Sequence, residues 1–320
     1  MKSTFFSRKA EQNYEAAETI GGGAFDEDGF IRARFDLNPA DVSKRELQKG
    51  QGSLTLIQFS DANGAFLVCK TIKNKGNESE LAFMKELMNV SASVKRSFQI
   101  QWPFPEVYHV EERGAESDIY LQYVEGVSNR RIAEVVQLAR PLAIAIHELS
   151  LVLPSVCRRD GQSLPRRGRV GSRFLSDVEA LLPGTGDRLR ALSEFQRNLP
   201  HSLCHNDIFW PNLGVGLLDK KPRFTFIDFG MLGTNVVGAE LHHFARRSMK
   251  SARDDEFFRR VCRKFASLTR IDEQLITMNA YLYAAMRLMA FEKSKASEAS
   301  FDDVLDLCLA ASQRFDKFCK

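Results

Sequence analysis

Hydrophobic and polar positions along the chain follow a strand period early and a helix period later. Leu54-Thr55-Leu56-Ile57-Gln58-Phe59 and Ala65-Phe66-Leu67-Val68-Cys69-Lys70-Thr71-Ile72 are two β-rich runs separated by Asp61-Ala62-Asn63-Gly64. An Asn-Gly pair between two such runs predicts a hairpin, because its residues tolerate the positive φ of a tight turn. In the next segment Leu81, Met84, Leu87 and Met88 recur at helical spacing, with Asn77 or Ser79 as the cap. Trp102-Pro103-Phe104-Pro105 then reads as a rigid connector, and Asp118-Ile119-Tyr120-Leu121-Gln122-Tyr123-Val124-Glu125-Gly126 as a buried strand. Polar Ser128-Asn129-Arg130-Arg131 after Gly126 marks a boundary between lobes.

Beyond that boundary a helix is predicted from Ile132 to about Val152, with Leu138, Leu142, Ile146 and Leu149 on one stripe. Residues 154–172, rich in Arg, Gly and Pro, read as an exposed loop, and residues 173–197 as one further helix. From Gly238 to Lys320 the pattern is mostly helical, since Phe257, Val261 and Phe265, and later Tyr281 and Leu288, share helix faces. The expected organisation is an N-terminal extension over 1–44, a sheet-rich lobe over 45–126 and a helical lobe over 127–320. The extension holds a Gly21-Gly22-Gly23 break and a Phe25, Phe30, Phe35 series, and no chemistry is assigned to it.

Composition narrows the class without naming an activity. With 320 residues, 44% hydrophobic and 27% charged, the chain is an ordinary globular protein with room for two lobes. A net charge of +4 gives no reason to expect a nucleic-acid partner. The six cysteines never form Cys-x-x-Cys, which fits reduced thiols better than a zinc site or a disulfide frame. Met1 to Arg8 lack the apolar core of a signal peptide, and no apolar run approaches the roughly 18 residues of a membrane span, so a cytoplasmic location is the default expectation.

Candidate chemistry concentrates between His205 and Gly230, where Asp207, Asn212 and Asp228 each adjoin an apolar segment. Three oxygen-bearing side chains fixed in this way suit a magnesium ion and a proton acceptor, although the same residue types are common turn formers. A second group lies upstream. Gly50-Gln51-Gly52-Ser53 enters the hairpin, where bare amides would let phosphates approach closely or would simply form a strand turn, and Lys70 stands in an otherwise apolar strand where a charge is costly without a partner. Glu80, on the apolar border of the predicted helix, is the candidate partner; the alternative is a lysine that reaches solvent by its own length. The arginines of the 154–172 loop, Arg158, Arg159, Arg166, Arg167 and Arg169, would attract an anionic substrate or simply be solvated.

Taken together, these residues resemble the protein-kinase-like superfamily, and within it the aminoglycoside phosphotransferase and choline kinase branch. His205-Asn206-Asp207 with Asn212, then Ile227-Asp228-Phe229-Gly230, is similar in order and spacing to the family's catalytic and metal-binding loops. The resemblance implies an α+β, bilobal fold with a small antiparallel-sheet N-lobe and a mostly helical C-lobe. It implies transfer of the γ-phosphoryl group of ATP to a hydroxyl of a sugar, amino alcohol or aminoglycoside. In that scheme Gly50, Gly52 and Ser53 form the nucleotide loop, Lys70 paired with Glu80 holds phosphates, and Gln122, Tyr123 and Val124 form the hinge for the base. Asn212 and Asp228 bind Mg2+, and Asp207 takes the acceptor proton. Thr55 at the third glycine position, Asn206 in place of an arginine and the lack of Ala-Pro-Glu after Asp228 favour a small alcohol over a protein acceptor. An atypical protein kinase and a nucleotide-binding pseudokinase scaffold are the alternatives.

Overall fold

The computed structural model describes residues 25–47, 53–91, 94–95, 102–126, 135–157, 165–167, 170–218, 221–294 and 301–319. The Gly21-Gly22-Gly23 break and both glycines of the nucleotide loop, Gly50 and Gly52, lie outside them. The chain divides into two compact units, one comprising the chain up to Lys73 with His109–Tyr123, the other Asn74–Tyr108 with Val124–Lys320. The second unit takes in the predicted helix after Asn77, which the sequence reading grouped with the sheet.

The first unit is built on strands β1 (Ser43–Glu46), β2 (Ser53–Asp61), β3 (Gly64–Lys73), β4 (Val107–Arg113) and β5 (Glu116–Gln122), ordered β1-β2-β3-β5-β4. The predicted hairpin forms between β2 and β3 with Asp61 opposite Gly64. Its turn is closed by the Asp61 carboxylate, which accepts from the amides of Asn63 and Gly64, the glycine at φ 123°. Helix α1 (Glu27–Phe35) covers this sheet. Phe25 stacks on His109 at 4.1 Å, Phe30 meets Tyr120 at 6.0 Å and Phe35 meets Phe66 at 4.7 Å, so the phenylalanine series of the extension is the apolar seam that holds the helix down.

A polar chain runs through the same sheet. Thr55 Oγ1 donates to Thr71 Oγ1 at 2.6 Å, Thr71 Oγ1 donates to Asp118 Oδ1 at 2.7 Å, and Arg113 pairs with the other Asp118 oxygen. Asp118 and Thr71 are buried, and a buried carboxylate that loses a donor bears the desolvation cost of that oxygen.

In the second unit, α2 (Glu78–Asn89) buries Glu80, Leu81, Phe83, Met84 and Leu87. Met88, expected on the buried stripe, is exposed, and Phe83 takes the place inside instead. The remaining elements are α3 (Val135–Val156), α4 (Ser172–Leu181), α5 (Gly186–Arg197), β6 (His201–Cys204), β7 (Leu213–Leu218), β8 (Lys221–Phe226), β9 (Gly233–Val236), α6 (His242–Ser248), α7 (Ala252–Thr269), α8 (Glu273–Ser294) and α9 (Asp302–Phe318). The single helix expected over 173–197 is two, broken where Pro183 follows Leu182 and Gly184 takes φ 87°. By length and composition alone α3 would cross a membrane. Its Leu142, Ala143, Ile146, Leu149, Val152 and Leu153 are buried, and it packs on α7, β6 and β8.

Replacing Thr71 with valine keeps the shape but removes both hydroxyl bonds, and we expect it to destabilise the fold by about 1–3 kcal/mol. Urea denaturation of T71V reads this as a lower midpoint with unchanged slope; an unchanged midpoint would show that the Thr55, Thr71 and Asp118 chain adds nothing to the sheet.

Candidate active site

Two antiparallel ladders bring the chemistry-bearing residues of the second unit to one place. β6 pairs with β9 so that Cys204 faces Gly233, and β7 pairs with β8 so that Leu213 faces Phe226. The loop after β6 therefore ends, and the loop after β8 begins, at the same mouth of the second hairpin. There the Ile227 amide donates to the Asn212 carbonyl at 3.0 Å, which sets Asp228 beside Asn212 despite their separation in sequence. The Phe226 amide donates to the Pro103 carbonyl at 2.8 Å, so the predicted connector braces the second loop.

Buried Asn206 locks the two loops together. Its Nδ2 donates to the carbonyls of Cys204, Met231 and Gly233 at 3.0, 3.2 and 3.0 Å, and its Oδ1 accepts from Asn235 Nδ2 at 2.7 Å. Asn206 holds φ 62° and Asp228 φ 64°, left-handed values at which asparagine and aspartate are the least strained residues after glycine. His205 Nε2 donates to the Ile227 carbonyl at 3.0 Å, and burial holds its imidazole below the usual pKa, hence neutral. Phe229 is fully buried against Phe83, Phe104 and His205, at 4.7, 5.6 and 4.6 Å.

Both oxygens of Asp207 are engaged. Asn212 Nδ2 donates to Oδ2 at 2.8 Å and to the Asp207 carbonyl at 3.0 Å, while His243 Nε2 donates to Oδ1 at 2.7 Å. Burial alone would raise the Asp207 pKa, but the hydrogen bond and charge of His243, aided by His205 and His242, outweigh it and bring the group down to about 2. A half-buried carboxylate is thus kept ionised. His243 is itself braced by a stacked Phe209 ring at 4.8 Å and by His242 at 4.1 Å. His242 is 3% exposed, neither of its ring nitrogens has a hydrogen-bond partner, and burial drives its pKa well down.

Asn212 turns its amide nitrogen to Asp207, and the backbone bond from Ile227 to Asn212 brings Asp228, the next residue, into the same neighbourhood. That pair offers oxygen ligands of the kind a magnesium ion takes. A second carboxylate is near: a Cβ on Gly230 would lie 3.4 Å from Glu80 Oε2 and 3.6 Å from Asp228 Oδ1, and two such groups favour a cation. Asp207, His242 and His243 also place their ligand atoms within 4.8 Å of one another, but the direct hydrogen bond between Asp207 and His243 closes that group on itself.

The other anticipated residues are distributed as follows. Lys70 is 8% exposed on β3, opposite Leu56 and Ile119, and Ser53 opens β2. Gln122 ends β5, the Tyr123 amide donates to the Phe66 carbonyl at 3.0 Å, and Val124 packs on Gly214. Outside that set, Glu240, just before α6, is buried beside the Cys204 thiol, and burial raises its carboxyl pKa. Sequence reasoning passed over His243, three positions on; the signal was a His242-His243 pair in a chain with only six histidines.

The Asn206 lock generates a paired prediction. Asn206→Ala leaves buried groups without partners and puts a Cβ at φ 62°, and we expect a loss on the order of 3 kcal/mol. Asn206→Gly relieves only the backbone, so it should recover about 1 kcal/mol of that loss in chemical denaturation; equal stabilities would show that the left-handed turn carries no strain.

Solved structures share this architecture. The GDP and kanamycin complex of APH(2")-IIia superposes with a TM-score of 0.58 at 14% identity, over 90% of this chain and 98% of that one. The GDP complex of wild-type aminoglycoside 2'-phosphotransferase-IIIa gives 0.59 at 15%, over 90% and 97%. The microcompartment-associated aminopropanol kinase gives 0.51 at 12%, over 87% and 93%. At these identities the likeness is one of fold. No curated protein sequence matches the chain. The model of the phosphotransferase enzyme family, however, matches residues 49–274. That match, over more than half of the chain, places it in the phosphotransferase enzyme family.

Proposed function

We propose that this phosphotransferase moves the γ-phosphoryl group of ATP to a hydroxyl of a small molecule. The observation that carries the reading is Asp207, a partly buried carboxylate held ionised at about 2 with Asn212 and His243 fixing its two oxygens. A carboxylate so placed stays ionised through the physiological range, so it can accept and orient an alcohol hydroxyl and take up its proton as that proton becomes acidic in the transition state. The kinship with aminoglycoside and aminopropanol kinases supports a small alcohol as acceptor.

In this reading the acceptor hydroxyl donates its hydrogen bond to Asp207. As the oxygen bonds to the γ-phosphorus, the bond from that phosphorus to the bridging oxygen breaks, ADP departs with the electron pair, and the proton passes to Asp207. Lys70, oriented by Glu80, holds the phosphates; Gly50, Gly52 and Ser53 supply amides over them, and the backbone of Gln122, Tyr123 and Val124 holds the base. Asn212 and Asp228 would hold Mg2+, which when bound neutralises phosphate charge. The chain's own work is positioning and electrostatics, as a loose transition state demands.

Asp207→Asn and Asp228→Asn should each lower transfer from labelled ATP to small alcohols by about 10²–10⁴-fold while thermal unfolding stays sharp. Full activity in either would overturn the assigned roles, and label on protein rather than on small alcohols would overturn the acceptor class. His243→Gln removes the largest of the contributions that depress Asp207 and leaves the burial that raises it. The carboxyl pKa therefore rises, and the acid limb of kcat/KM should move to higher pH than in the parent enzyme; an unmoved limb would show that His243 does not set the charge of Asp207.

A further inference from the structure

Two arginines, Arg167 and Arg287, approach the surroundings of Asp207, and neither pairs with a carboxylate among the described residues. Arg167 is held by backbone rather than by chance. Its amide donates to the Thr234 carbonyl at 2.7 Å, the Thr234 amide donates to the Pro165 carbonyl at 3.0 Å, and this short pairing clamps the arginine-rich segment onto the edge of β9. The Arg167 side chain lies across Gly233, where a Cβ would come within 3.0 Å of its Cγ and 3.3 Å of its Nε. That Nε is buried without a hydrogen-bond partner, an unfavourable state for part of a guanidinium.

Arg287 approaches from α8. It lies one helical turn beyond Tyr283, whose ring meets His242 edge-on at 4.9 Å, and His242 in turn touches His243, the donor to Asp207. Both arginines act electrostatically on Tyr283, Arg287 acts also on His242, and the charge of Asp207 reaches Tyr283 as well, which sets all of these groups around one locus. Arg287 is exposed, and neither arginine forms an ion pair with Asp or Glu among the described residues. The carboxylates closest at hand are otherwise engaged: Asp207 is bonded to His243 and Asn212, and Glu240 is buried beside Cys204 with its pKa raised.

Two unneutralised guanidinium groups beside the base repel a polycation and attract an anion. Resting on the phosphotransferase reading above, we infer that the acceptor is an alcohol that itself carries a carboxylate or a phosphate, bound through Arg167 and Arg287 so that its hydroxyl meets Asp207. An aminoglycoside, whose amines are protonated at neutral pH, has the wrong sign for this wall even though the fold is shared with enzymes crystallised with such ligands. The planar fork of arginine matches both carboxylate and phosphate, so the two anions share one recognition chemistry.

The test is ADP release by the full-length protein with MgATP and four acceptor classes at low ionic strength: neutral sugars, kanamycin, sugar acids and sugar monophosphates. The inference expects kcat/KM for an acid or a monophosphate to exceed that of the matching neutral sugar by about tenfold or more, and the better of those two classes identifies the anion. Arg287→Gln, on the surface of α8 and safe for folding, should cut that ratio about tenfold through KM, Arg287→Lys should restore part of it, and Arg167→Gln should repeat the loss. Preference for kanamycin or neutral sugars, or a ratio indifferent to both arginines, overturns the inference and leaves the phosphotransferase reading standing. Bound nucleotide with no acceptor-dependent ADP release from any class overturns both.

Discussion

The hydrogen bond from His243 to Asp207 is the contact on which the proposed chemistry depends. A carboxylate three-quarters withdrawn from water drifts toward its neutral form, and a neutral acid cannot receive a proton from an alcohol. His243 reverses that drift, aided by neighbouring imidazoles, and leaves the group ionised near 2. The cost of holding the imidazole there is met by Phe209 stacked on one side and His242 packed on the other. Burial and ionisation, which ordinarily oppose each other, are made compatible at one residue.

That contact rests on a backbone frame. β6 and β9 fix the two loops in register, and Asn206 at a left-handed φ turns the first loop out of the strand so that Asp207 faces α6. The β7 and β8 hairpin returns the chain to Asn212, whose amide divides its donors between the Asp207 side chain and backbone. On the proposed reading its carbonyl oxygen joins Asp228 as a ligand type suited to a hard cation. One asparagine locks the frame and the other would link the proposed base to the proposed metal position, so the same residue type serves different physical ends within a few positions.

Much of this was legible in the sequence. The Asn63-Gly64 hairpin and the helix after Asn77 follow from turn chemistry and periodicity, and the fold class followed from the family resemblance carried by the motif order around Asp207, Asn212 and Asp228. The rest depends on contacts between distant segments. Met88 and Phe83 exchange places because a helix stripe fixes a face but not its centre. Residues 173–197 split because Pro183 and Gly184 end a periodicity that continues in register beyond them. The His242-His243 pair and the arginine cluster that holds Arg167 are visible in the sequence, but their partners are not; on the proposed reading they matter, with Arg287, because β9, α6 and α8 gather them around the Tyr283 and His242 contacts that lead to Asp207. Their chemistry makes the acceptor's charge a question of tertiary structure rather than of motif.

The most direct measurement of the central claim is a carbon-13 titration of the Asp207 carboxyl in protein labelled at aspartate side chains, with Asp207→Asn used to assign the signal. An ionised carboxylate held at about 2 predicts a carboxylate chemical shift that stays constant from neutral pH down through 4. A signal that titrates at or above 4 would contradict the account, since burial would then have prevailed over His243.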